Sequence, residues 1–178
     1  MSEYITTYSG IQFYPLNPRV EDINIVDVAH HLSNICRFTG ACREFYSVAQ
    51  HSIYVSQMCD PEHALRGLLH DATEAYLSDI AGPVKHADGF SFYREAEKVL
   101  DMAICTKFGL PHEMHESVKT ADKRVFATEV RDLMPSNSVL TDEPYTWHIY
   151  PQQPTEAESL FLDYFHTIRF LYPARKYT

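Results

Sequence analysis

The chain has 178 residues, 45 % of them hydrophobic and 13 % aromatic, so it can bury a packed core, and we expect one domain over residues 1–178. The net charge of −9 disfavours a nucleic-acid scaffold, because such proteins present a basic surface. The four cysteines form no CxxC pair, and no apolar run approaches the ~18 residues of a membrane span. We therefore expect a cytoplasmic protein with no membrane partner and no nucleic-acid polymer as partner.

The predicted elements begin with a short hairpin or extended arm from Ser2 to about Asp22, where apolar and polar residues alternate loosely. Helical periodicity follows in six segments, at residues 26–38, 47–59, from just after 61 to 80, 91–109, 113–134 and 155–171. The irregular stretch from about 135 to 154 is interpreted as a loop that can cover a site. Its Trp147 either reaches that site or anchors the loop. The expected fold class is all-α.

The third predicted helix carries an unusual polar face. In GLLHDATEAYLSDI, the side chains of His70, Asp71 and Glu74 fall within one arc of about 100° on a helical wheel, opposite a leucine-rich face. A solvated polar face is the simplest interpretation of one such helix. An imidazole with two carboxylates is also a set of metal ligands and acid–base groups. Residues in other segments of the chain are needed to distinguish a solvated face from such a site.

Two further polar residues lie on apolar helix faces. His51 shares its face with Val55, where a core histidine satisfied by one hydrogen bond is the alternative to a ligand. Asp122 shares its face with Val125, and an ionised carboxylate in an apolar interior costs several kcal/mol unless it finds a cation. Either Lys119, three residues earlier, or a metal ion can provide that cation.

Taken together, three predicted helices bring two imidazoles and two carboxylates toward one interior, from His51, His70, Asp71 and Asp122. Such a mixed nitrogen and oxygen set suits Mn, Fe, Co, Ni or Zn rather than a closed thiolate zinc site. Four protein ligands leave room in an octahedron for a water and a substrate oxygen.

The H…HD…D pattern resembles the signature of the HD-domain phosphohydrolase superfamily. The blocks RFTGACREFYSVAQHS, LLHDATEAYLSDIAGPVK and VKTADKRVFATE are similar to those of helical 5′-deoxynucleotidases and of small phage-type deoxynucleoside triphosphohydrolases, including dATP-specific ones. The resemblance extends from about residue 22 to 134. It implies an HD-domain helical bundle with a short N-terminal extended or hairpin segment.

The resemblance also implies which residues hold the metal and move the proton. It implies that His51, His70, Asp71 and Asp122 bind a divalent transition metal, Zn, Co or Mn, with additional Mg at the phosphates. It implies that Glu74 is the general acid/base. The alternative for Glu74 is a carboxylate on the helix surface.

Substrate contacts are implied at five positions. Asp79 matches an aspartate that accepts a bond from the deoxyribose, and its alternative is an ordinary helix-end residue. Arg37 suits a bidentate phosphate contact, and Phe38 stands where the nucleotidases have Trp, which keeps a stacking surface but removes an indole donor. Lys85 and Lys119 match positions near the phosphates, and their alternative is solvated surface.

The expected function is hydrolysis of 2′-deoxynucleotides. A deoxynucleoside triphosphohydrolase that prefers dATP and releases tripolyphosphate is the first expectation, and a 5′-deoxynucleotidase acting on monophosphates is the alternative. Cleavage of cyclic or signalling nucleotides, and a nucleotide-binding or structural metal protein without chemistry, are the rival classes. The partner is then a small deoxynucleotide, and a homo-oligomer is expected.

Overall fold

The structure is a computed structural model that describes residues 3–135 and 142–172. Within these ranges the strands β1 (Ile5–Thr6) and β2 (Gln12–Phe13) pair antiparallel, and eight α-helices follow. The helices are α1 (Ile25–Asn34), α2 (Val48–Met58), α3 (Ala64–Leu68), α4 (Glu74–Leu77), α5 (Gly82–Lys85), α6 (Ser91–Phe108), α7 (Glu116–Leu133) and α8 (Pro154–Leu171). The mostly helical class and the N-terminal hairpin are confirmed. None of the helices in the described ranges has the length and apolar character needed to cross a membrane.

Helix α2 lies at the centre of the bundle. It packs against α1, α3, α7 and α8, and it is buried on nearly all sides, as helices in the interior of a domain are. The hydroxyl of Ser47 caps its first turn by accepting a hydrogen bond from the backbone N–H of Gln50. Because other helices surround α2, His51 in its second turn is completely buried.

The largest apolar cluster joins the hairpin to α1, α3, α6 and α8. Phe13, Leu32, Leu68 and Phe161 are each 0 % exposed, and burying a side chain of this size contributes about 1.5–3 kcal/mol. The ring of Phe13 also stacks on Tyr76 of α4, with centroids 4.0 Å apart. The hairpin and α4 thus pack against the same apolar core.

Helix α1 is shorter than predicted. It ends at Asn34, because the next residues are extended and pair with the chain that leads into α2: Val48 N–H donates to Ile35 and Arg37 N–H to the carbonyl of Tyr46. A short 3₁₀ turn then begins at Arg37. Periodicity carries no information about such a partner, so the prediction of one continuous α-helix through residues 35–38 is wrong: residues 35–36 are extended, and a 3₁₀ turn follows them.

The predicted helix through residues 67–80 is also interrupted. Helix α3 ends at Leu68 and α4 begins at Glu74, with turns between them. His70 Nδ1 lies 2.7 Å from the carbonyl oxygen of Gly67. The backbone N–H of Ala72 donates to the carbonyl of Leu69, three residues earlier, instead of the residue four earlier that an α-helix uses. The side chain of His70 thus donates to a carbonyl that would accept a backbone hydrogen bond in a continuous helix.

The described part of the predicted loop is held against α7 and α2. Arg131 donates hydrogen bonds to the backbone carbonyls of Tyr145 and Trp147, and the donor–acceptor distance is 2.6 Å in both. The Trp147 ring packs between Tyr145 and Tyr54, with centroids 5.5 and 4.9 Å away. Trp147 therefore anchors this segment, whereas residues 136–141 of the predicted loop lie outside the described ranges.

Gly67 marks a close approach of α3 to α2. A Cβ at this position would lie 2.9 Å from Sγ of Cys59 and 3.1 Å from Cα of Ser56, so the neighbouring backbone leaves no room for a side chain. We expect Gly67→Ala to lower the free energy of unfolding by about 1–3 kcal/mol through overpacking. Urea unfolding measures this change, with Gly89→Ala as the control, because a Cβ there meets no atom within 4 Å. An equal midpoint for both variants would contradict the close approach.

Candidate functional site

Four ligand-type side chains meet between α2, the turn after α3, and α7. His51 Nε2 lies 3.2 Å from His70 Nε2 and 3.2 Å from Asp122 Oδ1. Asp71 Oδ2 lies 3.2 Å from His70 Nε2 and 3.6 Å from His51 Nε2. Ligand atoms of His51, His70 and Asp71 all fall within 4.8 Å of one another, so these three side chains can hold a metal ion. The structure thus brings together all four residues predicted as ligands.

The two imidazole rings are oriented by their outer nitrogens. His51 Nδ1 is 2.6 Å from Glu129 Oε1, and His70 Nδ1 is 2.7 Å from the carbonyl oxygen of Gly67. Because both of these oxygens accept hydrogen bonds, both Nδ1 atoms carry the proton. The two Nε2 atoms then face each other as acceptors at 3.2 Å, which requires a proton or a metal cation between them.

Charges around the cluster favour a cation at this place. Burial and the charge of Arg37 oppose protonation of His51, but the carboxylates of Glu129 and Asp122 outweigh them and raise its pKa to about 9. Burial likewise opposes ionisation of Asp71, yet the charges of His70, His51 and Arg37 prevail and lower the pKa of Asp71 well below its usual range. Ionised carboxylates beside imidazoles suit a divalent metal.

The break after Leu68 brings His70 and Asp71 to the same point. In a continuous helix, consecutive side chains diverge by about 100°. In the structure, both neighbouring side chains turn toward His51, with 3.2 Å between His70 Nε2 and Asp71 Oδ2. The predicted polar face is therefore the lining of an interior cluster, formed by a turn rather than by a helix.

Glu129 is the residue of the site that sequence reasoning missed. It is 0 % exposed, and it accepts hydrogen bonds from Tyr46 at 2.9 Å and from His51 at 2.6 Å. Burial opposes its ionisation, but the charges of Arg37 and His51 lower its pKa. A signal was present in the sequence, because Glu129 follows Asp122 by seven residues and so lies on the same face of α7.

Arg37 connects Glu129 to the cluster. Its Nε and Nη2 atoms lie 3.2 and 3.1 Å from Glu129 Oε2, and its Nη1 lies 3.7 Å from Asp71 Oδ2. The 3₁₀ turn that it opens is strained, since Phe38 and Thr39 have φ of 54° and 52° in the left-handed region. Such strain persists only where the surroundings hold it.

Glu74 is buried rather than on a helix surface. It is 8 % exposed, and its Oε2 atom has no hydrogen-bond partner among the described residues. Burial, together with the charges of Asp71 and Asp79, raises the pKa of Glu74 well above its usual value. Burial also raises the pKa of Asp79, which lies two residues beyond the end of α4. A buried carboxyl with a raised pKa is suited to acid–base chemistry.

A cavity of about 410 Å³, here called the first cleft, opens beside these groups. Its lining combines polar groups with an apolar wall and consists of Arg37, Phe38, Thr39, Asp79, Ala81, Gly82, Pro83, Phe126 and Met134. The rings of Phe38 and Phe126 stack with centroids 5.4 Å apart. Three predicted substrate contacts, Arg37, Phe38 and Asp79, thus line one cavity of a size that small ligands occupy.

The two predicted lysines are not part of this cleft. Lys85 forms an ion pair with Glu97 of α6. Lys119 is exposed, and its ammonium lies 3.7 Å from Glu116 Oε2. The structure gives Lys119 no contact with Asp122, so the predicted lysine partner of Asp122 is replaced by the imidazole of His51 at 3.2 Å.

Comparisons with known proteins identify relatives of this chain. It is 41 % identical over 171 residues to the uncharacterized protein YfdR of Escherichia coli strain K12, an alignment that covers 93 % of this chain and 95 % of the relative. It is 36 % identical over 132 residues to an uncharacterized protein of Rhodobacter capsulatus, covering 69 % of this chain and 67 % of that protein. No protein-family model matches the chain.

The contact between Glu129 and His51 gives a test of metal binding. Glu129→Gln keeps the size of the side chain but removes the charge that orients the imidazole, and loss of such outer partners weakens metal binding about 10–100-fold. We expect a matching loss of affinity for Zn, Co and Mn, measured by competition with a chromophoric chelator. Glu116→Gln, an exposed change on the same helix, serves as the control. Equal affinities would mean that Glu129 does not support the metal.

Burial of Glu74 predicts a pH-dependent cost in stability. The pKa of Glu74 is raised in the folded state, so the folded protein binds more protons than the unfolded chain above the unfolded pKa, and stability falls as pH rises toward the folded pKa. Glu74→Gln removes this loss. We expect the advantage of the variant in unfolding free energy to grow as pH rises above the unfolded pKa of glutamate, as followed by urea unfolding at each pH. A difference that stays constant with pH would show that Glu74 ionises normally.

Proposed function

The chain belongs to the protein family that includes YfdR of Escherichia coli, and we propose that it is an HD-type, metal-dependent phosphohydrolase of 2′-deoxynucleotides. One observation carries the proposal: two imidazole Nε2 atoms, 3.2 Å apart, face each other between the carboxylates of Asp71 and Asp122. Such a set can hold a cation and contains the four ligands expected from the H…HD…D pattern. The first cleft opens beside it.

The residues present fit a divalent transition metal, for which we propose Zn, Co or Mn. His51, His70, Asp71 and Asp122 would hold it, and Glu129 would keep the imidazole of His51 in the correct orientation. When bound, such a metal supplies Lewis acidity toward water and toward a phosphoryl oxygen. A Mg²⁺ ion at the substrate phosphates would add to this charge.

Glu74 would handle the proton of the reaction. Water adds to phosphorus, the bond between phosphorus and the 5′-oxygen breaks, and the proton released from water goes to that 5′-oxygen. The carboxyl of Glu74 is buried three residues after Asp71, its pKa is raised, and its Oε2 atom has no partner among the described residues. With its pKa raised, this carboxyl can give its proton to the leaving 5′-oxygen and regain one from the attacking water.

The first cleft would hold the nucleoside. The Asp79 carboxylate can accept a hydrogen bond from the deoxyribose 3′-hydroxyl, and the rings of Phe38 and Phe126 offer an apolar surface to the base. Arg37 lies between this cleft and Asp71, where its guanidinium can meet the phosphate at the point of attack.

The proposed substrate is a deoxynucleoside triphosphate. We propose dATP as the preferred substrate and tripolyphosphate as a product. The 5′-deoxynucleotidase reaction, which frees phosphate from a monophosphate, uses the same residues and is the second candidate. The two reactions share their nucleoside half and differ only in the number of phosphates that the protein must accommodate.

Product analysis tests the proposal. The protein is stripped of metal, reloaded with Zn, Co or Mn, and offered each dNTP and dNMP beside ribonucleotide controls, and anion exchange separates the phosphate products. We expect deoxynucleoside and tripolyphosphate from dATP. His70→Ala should abolish both metal binding and turnover, and Glu74→Gln should retain the metal but lose about 10²–10⁴-fold in turnover.

Four other results would change the proposal. Orthophosphate from dNMPs with dNTPs untouched would establish the nucleotidase instead. Turnover that survives His70→Ala would reveal a contaminating phosphatase. Turnover that is unchanged in Glu74→Gln would remove Glu74 from the mechanism, and hydrolysis of cyclic nucleotides alone would replace the substrate class.

A further inference from the structure

The loop between β1 and β2, residues 7–11, is attached to α1 at two neighbouring positions. Asp27 of α1 is completely buried and accepts two hydrogen bonds from Ser9, one from the backbone N–H and one from the hydroxyl, with a donor–acceptor distance of 2.7 Å in both. The ring of Tyr8 stacks on the imidazole of His30 with centroids 3.7 Å apart. We call residues 7–11 the hairpin loop, and these contacts fix its place on α1.

His31 of α1 connects the hairpin loop to α4. Its Nε2 atom lies 3.1 Å from the backbone nitrogen of Tyr8, and its Nδ1 atom lies 2.7 Å from the carbonyl oxygen of Ala75. A backbone N–H donates and a carbonyl oxygen accepts, so this arrangement requires a neutral His31 whose proton is on Nδ1. One imidazole thus bridges the loop and α4, accepting one hydrogen bond and donating the other.

Helix α4 depends on such a partner because it is only four residues long. Helices of this length are unstable alone, and the carbonyls of their last turn receive no hydrogen bond from within the helix. The chain turns away at Ser78, which has φ of 68°, and the Ala75 carbonyl is bonded by His31 instead. Glu74, the first residue of α4, directly precedes Ala75. His31 therefore holds the backbone that carries Glu74.

Protonation of His31 is incompatible with this bridge. The added proton on Nε2 faces the N–H of Tyr8, and two donors cannot form a hydrogen bond with each other. Because Asp27 and His30 hold the hairpin loop in place, the imidazole is the partner that turns away, and the Ala75 carbonyl then loses its donor. Histidine is the side chain whose charge ordinarily changes between about pH 5 and pH 8.

The charged and titratable groups around His31 are those of Asp27 and His30 on α1, Tyr8 on the hairpin loop, Tyr76 on α4 and Glu158 on α8. Of the two carboxylates, Asp27 is bonded by the hairpin loop, and Glu158 lies 2.9 Å from Nδ1 of His30. Both carboxylates are therefore engaged by other groups, and neither forms an ion pair with His31. The rings of His30 and His31 have centroids 6.2 Å apart, so a charge on one opposes a charge on the other.

We propose that His31 is a positioning residue for Glu74 and acts as a pH-dependent bridge, which ties the hairpin loop to α4 when neutral and releases α4 when protonated. The inference deepens the proposed function, because the role given to Glu74 rests on that function. The bridge itself rests only on the contacts of His31.

Amide hydrogen exchange, followed residue by residue with NMR, tests the bridge without turnover. The amide of Tyr8 reports the bond to His31, and the amide of Ser78, which donates within α4 over 2.8 Å, reports the helix. The amide of Gly10, bonded to a backbone carbonyl of the same loop, is the internal control because its acceptor does not titrate. From pH 8 to pH 5 we expect the protection factors of Tyr8 and Ser78 to fall about fivefold or more, while that of Gly10 stays constant.

Two variants assign this pH dependence to one histidine. His31→Gln carries a donor and an acceptor on one planar amide that does not titrate, so we expect its Tyr8 and Ser78 amides to keep their protection at pH 5. His30→Gln is the matched control, since it removes the neighbouring imidazole and should leave the pH-dependent loss in place.

With substrate, the bridge predicts a change in kcat rather than in KM. His31→Leu, which can neither donate nor accept, should lower kcat for dATP about tenfold at pH 8 and keep KM within about twofold, because it misplaces Glu74 and leaves the first cleft intact. His31→Gln should restore kcat. An unchanged kcat in His31→Leu would overturn the positioning role.

The exchange results separate the bridge from the proposed function. Tyr8 protection that does not change with pH in the wild type would overturn the bridge, as would a loss that persists in His31→Gln or disappears in His30→Gln. A loss at Tyr8 without one at Ser78 would overturn the connection to α4. The expected exchange pattern without hydrolysis of any deoxynucleotide would support the bridge, and the proposed function alone would then fail.

Discussion

The carboxylate of Glu129 is completely buried and is bonded at once by Arg37, Tyr46 and His51, which come from three different places in the chain. Each of these contacts compensates the cost of burying a charge, and loss of one partner of a buried ion pair typically costs about 3–5 kcal/mol. The same contacts orient the imidazole of His51 and bring the guanidinium of Arg37 toward Asp71. The geometry of the whole cluster therefore depends on one buried charge that sits behind it.

Several unfavourable groups lie around this cluster, and others lie elsewhere in the described chain, such as the unpartnered hydroxyl of Tyr76 in the apolar core. The Oε2 atom of Glu74 and two nitrogens of Arg66 lack partners in the described chain, and Phe38 and Thr39 adopt left-handed backbone conformations. Each of these features lowers stability, and proteins retain such features mainly where binding or chemistry uses them.

Helix α5 is short, but its position organises the surroundings of the cluster. It presents Gly82 and Pro83 to the first cleft at its start, and Lys85 at its end pairs with Glu97 of α6. Under the proposed function, the base and sugar occupy the first cleft, and the reacting phosphorus lies between this cleft and the metal ligands.

The sequence by itself determined the helical class and the four proposed ligands, because a histidine or a carboxylate on an apolar helix face is a local conflict that periodicity reveals, as at His51 and Asp122. The same reasoning, extended seven residues along α7, would have found Glu129. Only the tertiary structure decided where the helices break and which charges pair. Residues 35–38 leave the helix because a distant segment offers hydrogen bonds, and His70 and Asp71 converge because a turn replaces a helix. The partners of Lys85 and Lys119 are likewise set by neighbouring helices and turns, since packing, rather than spacing along the chain, determines which charges come within reach.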